Sequence, residues 1–187
     1  TAPFVLLFAA VGFITAVMNG VPMRLGAVDN DGYNALAISK SSEAAEAFWV
    51  QLSIVGQSAR GVRLKDMPEE WFRVPAEESM QNSIVAVRGV LACNRLMDEQ
   101  KFNQADALMA RMLAAESGMA GIHRGLLVCD RIYIELIGVA RREAIEAMLT
   151  KAQAKFMKSM RRYPSVLRTE YALALLLEKN AARAEGI

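Results

Sequence analysis

Residues 3–18, PFVLLFAAVGFITAVM, carry no charge and a single polar side chain, Thr15. An apolar helix must be about 17–25 residues long to cross a bilayer core, and residues 1–18 just reach that length. Phe, Val, Leu and Ile fall on every face of the run, whereas a helix at the edge of a globular core keeps a polar side. The pattern predicts a transmembrane helix; a buried core helix of a soluble protein is the alternative. A secretory signal would show a basic start and a small-residue cleavage site, and neither is present. With no initiator Met and no charged flank ahead of the run, the expectation is a fragment whose upstream neighbours lie outside this sequence.

Composition divides the chain in two. Apolar residues make up 53% and charged residues 22%, yet every charge lies after Pro22. The apolar run therefore reads with residues 1–40, and residues 41–187 read as one domain long enough to bury its own core. A net charge of +2 argues against nucleic acid as a partner. Cys93 and Cys129 form no C-x-x-C and have no histidine nearby. Both sit in helical apolar patterns, which predicts buried thiols and suits a reducing compartment.

Asn19-Gly20 and Pro22 end the first helix, since Gly and Pro this close together break helical hydrogen bonding. Arg24, the first charge, belongs at the membrane surface and favours a cytoplasmic side for the remainder of the chain. A short helix restarts at Gly32 or Tyr33 and ends near Ser39. Ser42 with Glu43 and Glu46 starts the next, with acids in its first turn. Ala45, Phe48, Trp49, Leu52 and Val55 recur along it at helical spacing, and Gly61 closes it. Further helices are expected over residues 76–97, 103–117, 121–139, 141–162 and 165–184. No strand alternation of useful length occurs. The fold class is all-α.

Residues 89–117 carry the best repeat signal. Gly89, Ala92, Cys93 and Leu96 fall on one helix; Phe102, Ala105, Met109 and Met112 fall on the next. The pair resembles a tetratricopeptide repeat, with small residues where paired helices approach closely. Phe156 and Pro164 match late repeat positions, but the connection before them departs from the 34-residue period. A plain antiparallel bundle is the alternative.

Several side chains have both a plain and a functional reading. His123 is the one histidine, too few for a histidine metal site or triad within this chain, and reads as a surface residue. Met109, Met112, Met119, Met148, Met157 and Met160 read as core filling. Trp49, Trp71 and Phe72 are core or interface anchors. Lys151, Lys155, Lys158, Arg161 and Arg162 share one broad face, either solvated or turned to anionic lipid.

Asp31 divides the readings of the whole chain. Either Asp29 or Asp31 caps the helix beginning at Tyr33, or Asp31, a carboxylate beside a Pro-broken segment at the end of a membrane helix, faces a polar cavity and has a function. Asn19-x-x-Pro22 followed by Asp31-Gly32, just after a hydrophobic helix, resembles the second motif of site-2-protease-like intramembrane zinc metallopeptidases. The resemblance extends over residues 3–72, including Asn30 to Asn34 and Leu64-Lys65-Asp66-Met67-Pro68. It implies that Asp31 is a zinc ligand, that Gly32 lets the backbone come close, and that Asn19 and Pro22 shape the substrate-facing wall. It also implies zinc as the cofactor of the complete protein, a protein or peptide substrate, membrane lipid around the helix, and a bacterial cytoplasmic membrane with the tail in the cytoplasm. The eight residues Met23 to Asn30 make a longer loop than is typical of the family. The family's His-Glu-x-x-His, which supplies two ligands and the general base, is absent from these residues. No catalytic residue is therefore assigned in this chain, and a missing N-terminal catalytic half is the implied partner. The competing expectation is a membrane-anchored helical-repeat adaptor without catalysis.

Overall fold

The computed structural model describes residues 2–26, 28–115 and 117–187. Its first element, α1 (Ala2–Gly20), is a single unbroken helix with no buried residue. Nineteen residues at 1.5 Å each make about 28 Å, close to the thickness of a bilayer's hydrocarbon core. Phe4, Leu6, Phe8 and Phe13 are each about 70% exposed, so nothing among the described residues covers this apolar surface. By length and composition, α1 is able to cross a membrane.

Everything else described is helix, turn and loop. The elements are α2 (Asp31–Ser39), α3 (Ser42–Ala59), α4 (Ser83–Asp98), α5 (Phe102–Ala114), α6 (Gly121–Ile137), α7 (Arg142–Met148), α8 (Lys151–Ser159), α9 (Pro164–Ala172) and α10 (Ala181–Glu185). Short 3-10 turns join α3 to α4, and a π-helical stretch, Leu173–Leu177, follows α9. Among the described residues the one β pairing is an isolated bridge between Arg24 and Asp29.

The core forms in layers. Ala37 of α2 packs with Ala44 and Ala47 of α3 and with Ile84 and Val85 of α4. Alanines at this seam let the helices approach closely. The α4–α5 hairpin buries Cys93, Ala105, Met109 and Met112 completely. Gly89 gives the Met112 side chain its room there, since a Cβ would lie 2.6 Å from the Met112 Cε and that side chain would have to shift. The expected core roles of Met109, Met112, Met119 and Met157 hold, each at most 4% exposed. Both cysteines are free and buried, and burial pushes each thiol up to about 12. A second cluster joins Cys129, Ile132 and Leu136 of α6 to Ile145, Met157 and Val166.

Several expectations fail; the helix expected over 76–97, for one, begins only at Ser83, after the 3-10 turn Ser79–Gln81. The stripe Ala45, Phe48, Trp49, Leu52, Val55 is the outer face of α3, with Trp49, Leu52 and Val55 more than half exposed. The buried face is Ala44, Ala47, Val50 and Ile54. The helix expected over 141–162 breaks at Leu149, where Thr150 turns its hydroxyl to accept from the Gln153 N–H and starts α8. The helix expected over 165–184 ends in the π stretch and a turn with Lys179 at φ +53°, before α10. The expected start of α3 at Ser42 holds, with Ser41 before it as the cap, accepting from the Ala44 N–H at 3.1 Å.

Candidate functional site

The singled-out residues converge at the foot of α1. The Val21 N–H still donates to the Val17 carbonyl at 3.0 Å, and then Pro22, with no N–H, stops the helix. The chain folds back as a short hairpin: the Asn30 N–H donates to the Met23 carbonyl at 3.2 Å and the Leu25 N–H to Val28 at 3.0 Å. Gly26, at φ +78°, sits at its tip in the left-handed region that favours glycine.

Asn30 holds this joint together. It is 7% exposed. Its Oδ1 accepts from the Met23 and Tyr33 N–H groups, both at 2.9 Å. Its Nδ2 donates to the Met18 and Val21 carbonyls, both at 2.6 Å. One amide thus satisfies the first turn of α2 and the orphan carbonyls at the end of α1 together. The capping expectation for Asp29 or Asp31 is corrected here: the cap is Asn30. A carboxylate could accept from Tyr33, but it could not donate to the two carbonyls. The sequence did hold the signal, since Asn ranks with Asp as an N-cap residue.

Gly32 lies against the last turn of α1. A Cβ there would stand 2.8 Å from the Gly20 carbonyl carbon and 3.0 Å from the Asn19 carbonyl oxygen. Asn19 and Pro22 themselves are exposed. The Asn19-x-x-Pro22 segment and the Asp31-Gly32 pair are therefore in contact through backbone, with Gly32 as the point of closest approach.

The two aspartates part ways. The Asp29 side chain is 6% exposed and pairs with Arg24, Oδ1 to Nε at 3.3 Å. Asp31 is exposed at the first position of α2, and none of the ion pairs found among the described residues involves it.

The hairpin also grips the helical domain. Arg24 donates to the Gly118 carbonyl at 2.9 Å and stacks 5.3 Å from the centre of the Tyr33 ring. The Gly121 N–H donates to the Gly26 carbonyl at 3.1 Å. A cavity of about 270 Å³ opens between hairpin, α3, α4 and α6, lined by Val28, Asp29, Phe48, Ser83 and His123 among others. His123 is half-buried, not a surface residue, and burial lowers its pKa.

No group of three or more His, Cys, Asp or Glu side chains that could hold a metal ion occurs among the described residues. No protein-family model, curated protein or solved structure matches the chain.

Proposed function

We propose that this chain is the C-terminal part of a membrane-embedded zinc metallopeptidase of the site-2-protease type. In this reading α1 spans the membrane, Asp31 is one zinc ligand, and the helices from α3 onward form a cytoplasmic, tetratricopeptide-like tail. The observation that carries the reading is the freedom of Asp31. The cap belongs to Asn30, the hairpin ion pair belongs to Asp29, and the remaining carboxylate stands exposed beside the foot of an uncovered apolar helix.

The donor set fits in part. A catalytic zinc takes three protein ligands, and these residues offer one free carboxylate at the joint. Two further ligands and a general base would come from the missing N-terminal half. Bound zinc would acidify a water and polarise the scissile carbonyl. The role of this chain is positional. Asn30 and Gly32 fix the start of α2 against the end of α1, and so hold Asp31 at a set depth. Pro22 breaks the backbone beside it.

The test is a cleavage assay on the complete protein in detergent, with zinc content measured. Asp31→Ala is expected to lose zinc and turnover while the tail stays folded. Normal zinc occupancy and turnover in that variant would reject the ligand assignment.

One observation favours a second reading, an anchored adaptor without catalysis. The outer face of α3 exposes Phe48, Trp49, Leu52 and Val55, a contiguous apolar stripe of the kind that marks interaction surfaces. In that case Asp31→Ala leaves function intact, and charges placed on the α3 stripe remove it.

A further inference from the structure

We infer that the corner between α8 and α9 rests on the anionic headgroups of the bilayer that α1 spans, giving the domain a second, electrostatic hold on the membrane. The inference rests on the reading of α1 as a membrane span.

The charge comes first. Between Glu146 and Glu170 the sequence has no acid, and it carries Lys151, Lys155, Lys158, Arg161 and Arg162. All five are exposed. Every ion pair found among the described residues is made by other cations. The inner face of α8 is fully used, with Gln153 and Met157 buried. The cations are therefore turned outward, and no acid among the described residues pairs with them.

Position follows from the path of the chain along α6. Gly26 at the hairpin tip accepts from Gly121, so α6 begins at the foot of α1. The chain leaves the far end of α6 and returns along it. Arg141 pairs with Glu135, Gln153 donates to the Gly125 carbonyl and the Cys129 Sγ, and Phe156 packs its ring where a Gly125 Cβ would stand. After the corner, α9 crosses the middle of α6: Arg168 pairs with Asp130, and the Thr169 hydroxyl donates to the Cys129 carbonyl. The turn at residues 159–163 is thus at the same end of the molecule as Gly121. Gly125 is four residues, about 6 Å, into α6, so the Phe156 ring in the last turn of α8 lies about that far from Gly121 along the helix. The headgroup layer is about 5–7 Å deep and the Debye length about 8 Å, so cations at that level feel the surface charge. Tyr163, 44% exposed at the corner, is the kind of aromatic side chain that settles at the interface.

The partner is a lipid surface rather than a soluble polyanion, because the tether holds the corner next to headgroups at all times. Each cation on an anionic surface shifts the local equilibrium about fivefold.

The full chain is reconstituted into vesicles of phosphatidylcholine alone and of phosphatidylcholine mixed with phosphatidylglycerol. Acylation of individual lysines by an amine-reactive ester is followed by mass spectrometry. Lys155 and Lys158 should be protected at least about fivefold in the anionic vesicles, with the protection lost at high salt. Lys65, beside the far end of α4, should react alike in both, and Arg161→Gln with Arg162→Gln should weaken protection of Lys158. Equal acylation of Lys155 and Lys158 in the two vesicle types overturns the inference, as does equal protection of Lys65. Flotation on neutral vesicles reads the anchor separately. A chain that fails to float there, yet shows the salt-sensitive protection on anionic vesicles, overturns the membrane span and upholds the corner contact. A chain with neither overturns both.

Discussion

Replacing Asn30 by alanine tests whether one amide joins the apolar helix to the domain. The side chain makes four hydrogen bonds and is 7% exposed. Loss of an N-cap costs about 1 kcal/mol, and each further bond removed at a half-buried site costs roughly 0.5–1.5 kcal/mol. Water reaches part of this joint, so the expected local loss is about 2–4 kcal/mol rather than the full sum. Hydrogen exchange on the full chain in detergent reads it directly. The Asn34 N–H donates to the Asn30 backbone carbonyl and the Gly121 N–H to Gly26, so both keep their acceptors in the variant. They report opening of the joint and not the missing side chain. A loss of about 2 kcal/mol corresponds to exchange about 30-fold faster at both amides. Asp31→Ala removes an exposed charge at a helix N-terminus, is expected to cost under about 1 kcal/mol, and leaves Gly121 unchanged. If Asp31→Ala opens the joint as much as Asn30→Ala, or if Asn30→Ala leaves both amides protected, the joint is not built as described.

Other outcomes follow from the packing. Ala105 is fully buried between α4 and α5, so Ala105→Trp should overpack that seam and lower stability by roughly 1–3 kcal/mol in a denaturant titration. Cys93 and Cys129, with thiols raised to about 12 by burial, should resist alkylation at neutral pH until the chain is unfolded. The Arg141 guanidinium holds the Glu135 carboxyl down at about 2, against about 4.3 in the unfolded chain. A depressed folded pKa contributes stability above the unfolded value and loses it as pH falls through the folded one. The gap in urea midpoint between the native chain and Glu135→Gln should therefore be widest near neutrality and shrink steadily below about pH 4.

Much of the fold was legible because the signals were local. Uniform apolarity gave α1, Pro22 its end, and Gly61 the close of α3. Spacing placed Ala105, Met109 and Met112 on the inner face of α5. The failures were places where two local signals tied. Along α3 two stripes compete, and the tertiary fold buries the one made of small side chains, Ala44 and Ala47, because α2 and α4 come closer there than Phe48 or Trp49 would allow. Hydrophobicity alone ranks the stripes the other way. The Leu149-Thr150 break was hidden because Thr reads as a helix interior residue until its hydroxyl is seen capping α8. At the candidate site, Pro22 was legible as the stop of α1, and Asp31-Gly32 as the neighbourhood where α2 starts. The closeness of Gly32 to Asn19 and Gly20 depends on a chain reversal, Met23 to Asn30, that no period encodes.

The apolar helix should be separable from the domain it leads. No residue of α1 is buried, and its link to the rest runs through the last turn, where Asn30 reaches the Met18 and Val21 carbonyls. Removing residues 1–17 therefore takes away no core contact and spares both acceptors. The same cut removes Phe4, Val5, Leu6, Leu7, Phe8, Val11, Phe13 and Ile14, each more than half exposed. At roughly 1.5–3 kcal/mol for fully burying each such side chain, α1 gains on the order of 10 kcal/mol by entering lipid or detergent. The truncated chain should stay in solution without detergent and show the helical content expected of α2 to α10. Its melting temperature should match that of the full chain in detergent. The full chain should sediment or aggregate once detergent is removed and float with vesicles when lipid is supplied. A full chain equally soluble without detergent would mean that some surface covers α1, and the outer face of α3 is the uncovered apolar stripe available for that role. A truncated chain that fails to fold would place part of the core in α1, against its complete exposure.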